Sequence, residues 1–330
     1  MENRKIRWGI LSTGRIAQVF AQSLATLPEA QLQAVGSRTA AAAEAFGTRF
    51  NVPRRHASYA ALARDTEIDV IYIGTPHSLH AENCLLCLEA GKAVLCEKPF
   101  TINAAEAERV IQFARQQQVF LMEAMWTRFL PAVVQARAWL ANGIIGEPRM
   151  LLADFGFRAE FDPQSRLFAP ALGGGALLDV GIYPLALASM VFGPPQRLTS
   201  MAHLGATGVD EQCGVILGYP NGQLAVLAAA NRTDTPKEAT IIGTAGRIKL
   251  HSAFFKATQV TLARSGQPEQ TVHAPYESFG YQHEAAEVMA CLRAGRLESE
   301  IMPPDESLQL MQTMDEIRRQ WGLRYPQERA

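Results

Sequence analysis

Short apolar runs alternate with amphipathic stretches through the first third of the chain. Ile6 to Leu11, Gln33 to Ser37, Val70 to Ile73, Ala93 to Glu97 and Val119 to Glu123 read as strands buried on both faces of a parallel sheet. Helical patterns fill the gaps: one follows the Ser12 to Ala17 turn and reaches about Leu27, and others run from Ala40 to Phe50 and from Tyr59 to Arg64 behind Ser58 as cap. A further helix follows with Ser78 as its expected N-cap and Gly91 as its end, and the last opens on the Asn103/Glu106 capping-box spacing and runs to about Gln117. Strict alternation of strand and helix predicts a doubly wound sheet with right-handed crossovers over residues 1–123. After Glu123 the pattern changes. A helix ends at Asn142-Gly143, and then come strand patterns at Met150 to Phe157, Asp210 to Tyr219, Gln223 to Ala230, Thr240 to Ile242, Arg247 to His251 and Gln259 to Ala263. Pro220-Asn221-Gly222 is a hairpin signal between two of them. With helices at Leu177 to Phe192, Tyr281 to Ala294 and Asp305 to Trp321, residues 124–330 are expected to form an α+β domain around an open, mainly antiparallel sheet.

Composition narrows the class. The 330 residues exceed what one core usually serves, and 48% hydrophobic residues supply ample core material. Lys plus Arg total 31 against 32 Asp plus Glu, which offers no basic footprint for nucleic acid or an anionic membrane. Five cysteines form no paired framework, and Cys84 and Cys87 sit in an apolar helical run, as small core residues do. The most apolar stretch, Gly173 to Gly193, carries Asp179, Pro184 and several glycines and falls short of the ~20 apolar residues of a span. A cytoplasmic location is the expectation. No cluster of His, Cys or carboxylates has metal-ligand spacing, so no metal is expected.

Candidate chemistry gathers at the strand ends. Ser12-Thr13-Gly14-Arg15-Ile16-Ala17 turns from strand into helix, aiming backbone N–H groups at one point suited to a pyrophosphate. The match to Gly-x-Gly-x-x-Gly/Ala is partial because Ser12 holds the first position, and a plain strand–helix turn is the alternative. About 20 residues on, where an NAD site would place a carboxylate, stand Ser37 and Arg38. A guanidinium there fits a 2′-phosphate, favouring NADP over NAD; the other reading is a surface arginine at a helix start. Glu97-Lys98-Pro99 ends a buried strand at the sheet's carboxyl edge, where open α/β sheets bind ligands, and the proline turns the chain sharply. Trp126, Arg128 and Phe129 lie at the domain junction and are placed either to line a cleft or to seal it. Gly173-Gly174-Gly175 opens a helix on which Asp179 and Tyr183 are four apart and, if it is regular, share one face, as a reactive pair or simply as a buried tyrosine whose hydroxyl Asp179 satisfies.

Taken together, the Ser12 to Ala17 turn, Thr75-Pro76 to His80, Glu97-Lys98-Pro99 and Gly173 to Tyr183 resemble the glucose-fructose oxidoreductase / inositol dehydrogenase / MocA family. The resemblance is strongest to its branch of dimeric dihydrodiol dehydrogenases and NADP-dependent D-xylose 1-dehydrogenases. It implies a Rossmann domain holding NADP, with NAD possible, through Ser12, Thr13, Gly14, Arg15, Ile16, Ser37, Arg38, Thr75, Pro76, His80, Glu97 and Lys98. It also implies Lys98, Asp179 and Tyr183 as the catalytic set, with Trp126, Arg128, Phe155 and Phe279 at the substrate, and a homodimer formed through the second sheet. Ser12 departs from the glycine of most relatives.

The chemistry suits these residues. Oxidising a hydroxyl needs a base for its proton while hydride leaves carbon for the nicotinamide. A phenol with pKa ≈ 10 is a poor base near neutrality, and a nearby ammonium favours its ionised form. The expected activity is an NADP-favouring dehydrogenase acting on a sugar, such as an aldose at C1, or on a cyclic trans-diol. A redox-neutral enzyme that uses NAD(P) transiently and a non-catalytic NADP sensor are the alternatives.

Overall fold

The computed structural model describes residues 4–328 and divides into two compact units, Met1–Trp126 with Glu277–Leu308, and Thr127–Tyr276 with Gln309–Ala330. Each unit is therefore built from two separate stretches of chain, unlike the contiguous division at 123/124.

The first unit holds β1 (Ile6–Leu11), β2 (Ala30–Gly36), β3 (Arg54–His56), β4 (Val70–Ile73), β5 (Ala93–Glu97) and β6 (Leu121–Ala124). They form an all-parallel sheet in the order β3-β2-β1-β4-β5-β6. That order reverses direction between β1 and β4, the switch point outside which such sheets bind dinucleotides. The crossovers carry α1 (Arg15–Leu24), α2 (Ala40–Arg49), α3 (Tyr59–Ala63), α4 (His80–Glu89) and α5 (Ala104–Gln117). Thr39, Ser58 and Asn103 cap α2, α3 and α5 by accepting from the amides of Ala42, Ala61 and Glu106. Ser78 is not a cap: it lies inside a 3₁₀ turn, His77–Leu79, and α4 begins behind Leu79 without a side-chain cap. Every residue of β4 and β5 is buried, as the continuous apolar runs require.

In the second unit, α6 (Pro131–Ala141) precedes an eight-stranded sheet, ordered β14-β13-β12-β11-β7-β10-β9-β8. Its strands are β7 (Pro148–Gly156), β8 (Arg197–Leu204), β9 (Asp210–Gly218), β10 (Leu224–Ala230), β11 (Ala239–Gly243), β12 (Gly246–Leu250), β13 (Gln259–Arg264) and β14 (Gln270–His273). Both predicted hairpins are present, β9–β10 and β11–β12. One pair, β7 with β10, is parallel. Helix α7 (Ile182–Phe192) is an interior helix: the apolar stretch Pro170–Phe192 to which it belongs is mostly buried within the fold. The outer face of the sheet carries a cross-strand row of exposed apolar side chains, Leu152, Val226 and Ile216, in direct register on β7, β10 and β9. The remaining helices are α8 (Gln282–Arg293), in the first unit, and α9 (Pro304–Trp321).

Candidate active site

In the first unit, the β1–α1 turn shows why a serine can stand where a glycine is usual. Ser12 adopts φ 129°, a conformation that favours glycine, and its hydroxyl accepts from the Gly14 amide at 3.2 Å. Helix α1 has no side-chain cap and no acidic residue in its first turn. Its leading amides and the exposed Arg15 therefore suit a pyrophosphate, and the turn fits a dinucleotide. Ser37 is buried at the end of β2, whereas Arg38 is exposed beyond it.

The turn after β5 is pinned from beneath by buried carboxylates. The Lys98–Pro99 bond is cis and Lys98 is half-buried. Glu97 points inward, accepting from the Tyr72 hydroxyl at 2.6 Å and from the Lys98 amide at 3.2 Å. Glu123, on β6, accepts from the Phe100 amide at 2.9 Å and the Ser307 hydroxyl at 2.6 Å. Glu284, from α8, is fully buried and neither of its oxygens has a hydrogen-bond partner. Burial, and then the charges of Glu97 and Glu123, push its carboxyl well above the usual range.

His80 is fully buried too, its ring nitrogens each 2.9 Å from a carbonyl, Pro99 on one side and Thr75 on the other. Burial lowers its pKa, so the ring is neutral and donates to one carbonyl at a time. Its observed work is to tie the loop after β4 to the Lys98 turn. The Thr75 hydroxyl accepts from Asn83 at 3.1 Å, a contact with no sequence signal. Trp126 is buried and stacks on Tyr281 with centroids 4.6 Å apart, while Phe279 is exposed.

In the second unit, the glycine run leads into an irregular helix. Leu177–Gly181 forms a π-turn in which the Ile182 amide reaches back to the Leu177 carbonyl, and α7 continues from it. Pro184 has no N–H to offer the Val180 carbonyl, which favours a widened turn there. The regular four-residue register expected for Asp179 and Tyr183 is thereby altered. Asp179 is buried and forms an ion pair with Arg166 at 2.7 Å. Arg166 comes from the long loop before the glycines, and spacing along the chain carries no hint of it.

Tyr183 is 7% exposed and sits in an aromatic cluster. Its ring centroid is 5.4 Å from Phe155 and 5.6 Å from Phe255, and those two stack at 3.9 Å. Phe255 has no signal in the sequence, because it lies in a three-residue 3₁₀ turn between strands, Phe254–Lys256, too short to show a period. Arg128 is buried and donates to the Ala186 carbonyl of α7 at 2.9 Å. That bond braces the helix bearing Tyr183.

Comparison with known proteins agrees with this fold. Residues 6–125 match the model of an oxidoreductase family with an NAD-binding Rossmann fold, and residues 133–249 match the GFO/IDH/MocA C-terminal domain. A trans-1,2-dihydrobenzene-1,2-diol dehydrogenase of Mus musculus is 38% identical, covering 98% of this chain and 99% of that protein. Its counterpart in Danio rerio is 40% identical with the same coverage. A 3-ketoreductase from Actinomadura kijaniata, solved with NADP and TDP-benzene, superposes with TM-score 0.84 at 27% identity, over 96% of this chain and 98% of that one. An aldose-aldose oxidoreductase from Caulobacter crescentus shares the fold, with TM-score 0.88 at 24% identity over 96% and 97% of the two chains. The chain belongs to the GFO/IDH/MocA oxidoreductase family and is an NAD(P)-dependent dehydrogenase.

Proposed function

We propose that this dehydrogenase oxidises a hydroxyl of a polyhydroxylated ring, a cyclic trans-diol or an aldose at C1, with NADP preferred over NAD. The observation that carries the reading is Tyr183, a nearly buried phenol set among aromatic rings on an irregular helix. Flat apolar walls beside a single proton-transfer group suit a ring substrate. The name of the curated relatives, which acts as a guide to substrate class, supports the trans-diol.

Bound nicotinamide supplies the hydride acceptor. Tyr183 takes the hydroxyl proton, Lys98 steadies the developing alkoxide, and Asp179, held by Arg166, keeps negative charge fixed in the turn before the phenol. Arg38 selects the 2′-phosphate, since its guanidinium stands exposed just past β2 and no carboxylate occupies that position. Phe155, beside Tyr183, contacts the substrate, and Arg128 supports α7. The exposed row Leu152, Val226 and Ile216 supports a homodimer through the second sheet, and five free thiols support a cytoplasmic setting.

The test is absorbance of reduced nicotinamide with purified protein, NADP or NAD, and a panel of cyclic diols, aldoses and inositols. Growth with one substrate group, faster with NADP, is the expected result. No growth across the panel, with cofactor carried through purification, would replace this reading with redox-neutral chemistry.

A further inference from the structure

The π-turn leading to Tyr183 is gripped by a residue that has no role in the reaction as described. Asp210, the first residue of β9, is fully buried, and its Oδ2 accepts from the Leu177 amide at 2.6 Å. Ala176, at the start of the turn, offers no side-chain cap, so this bond from across the sheet does that work. Oδ1 has no partner and lies hard against Gly175. A Cβ on Gly175 would collide with it, and Gly175 holds φ 122°. One step earlier, the buried Tyr325 hydroxyl donates to the Gly174 carbonyl at 2.6 Å. Arg318 of α9 lies over the Tyr325 ring at 4.9 Å and is itself fixed by Glu328 and Asp315. The segment is thus held at Gly174 and at Leu177 by groups far away in sequence.

We infer that Asp210 is a positioning residue for catalysis, setting the π-turn so that Asp179 and Tyr183 are presented correctly. This rests on the role proposed for Tyr183. Several groups act on the Asp210 carboxyl: Arg318 from α9, Tyr325 beyond it, Cys213 on the same strand, and the amides of Ala176 and Leu177. Burial outweighs the amides and Arg318 and lifts its pKa to about 7. The sign follows from linkage. Opening the turn hydrates Asp210 and returns it to the ordinary carboxylate range, so the closed turn binds the proton more tightly and loses its advantage as pH rises toward 7.

The test uses full-length wild type, Asp210→Asn, Asp210→Ala and Tyr183→Phe. Hydrogen exchange over residues 173–183 needs no substrate. After correction for intrinsic exchange, wild-type protection should fall by up to about tenfold per pH unit between pH 5 and 7 and level off above, while Asp210→Asn stays flat. With NADP and trans-1,2-dihydrobenzene-1,2-diol as probe, Asp210→Ala should lower kcat by about tenfold or more at unchanged NADP affinity, with Asp210→Asn restoring most of it. Parallel exchange profiles in wild type and Asp210→Asn, or wild-type kcat in Asp210→Ala, would overturn the inference. If Tyr183→Phe alone keeps wild-type turnover, the role of Tyr183 has failed instead.

Discussion

Glu284→Gln tests the buried carboxyl cluster beneath the Lys98 turn. Three carboxyls share that interior, but only two are equipped to be anions. Glu97 accepts from the Tyr72 hydroxyl and the Lys98 amide, and Glu123 accepts from the Phe100 amide and the Ser307 hydroxyl. Glu284 has two unpartnered oxygens in a fully buried position, so it is the group that keeps its proton. In the unfolded chain it ionises at the ordinary carboxylate value; in the folded chain it does so only at much higher pH. The folded state therefore binds one more proton across that window, and stability falls as pH rises through it, by up to about 1.4 kcal/mol per pH unit. Glutamine keeps the size and neutrality of the protonated acid and has no proton to lose. Urea unfolding of wild type and Glu284→Gln at pH 5, 6 and 7 should show similar stability at pH 5. The glutamine variant should then gain by about 1 kcal/mol for each unit above it. A constant difference across the three pH values would refute the assignment of the proton to Glu284.

Tyr183→Phe should reduce kcat by roughly 10²–10⁴-fold, the usual contribution of a proton-transfer group, with NADPH affinity near wild type by fluorescence titration; full activity would remove Tyr183 from its role. Arg38→Ala should weaken NADPH binding far more than NADH binding, and equal losses would sink the 2′-phosphate argument. Phe155→Ala removes a buried ring that stacks on Phe255 and meets Tyr183, and should cost about 3–5 kcal/mol in unfolding experiments. A cost under about 1 kcal/mol would mean that the cluster is loosely packed.

Which elements are legible in the sequence follows from where they lie. The buried strands of the first sheet and the hairpins of the second stand out because a short continuous or alternating apolar run can bury its side chains in few ways besides a strand. The three strands without a signal, Arg54–His56, Arg197–Leu204 and Gln270–His273, are all at the edges of their sheets. Edge strands are paired on one side only and keep polar, solvated side chains, so their apolar pattern is weak. Ser78 misleads through its chemistry. Its hydroxyl could serve as a cap, but the preceding proline and a 3₁₀ turn move the helix start past it.

The sequence by itself determined the alternation of strand and helix, the change of architecture after Glu123, and the residue types able to carry hydride-transfer chemistry. These are properties of neighbouring positions, and local sterics with hydrophobic periodicity suffice to express them. Tertiary structure alone decided the partners: Arg166 for Asp179, Phe255 for Tyr183, Glu284 behind the Lys98 turn, Tyr325 on the glycine run and Asp210 on the turn after it. It also decided that residues 277–308 pack with the first unit. A pairing between distant positions depends on how elements stack, and burial then fixes which ionisable group carries a charge. Neither can be read from spacing along the chain.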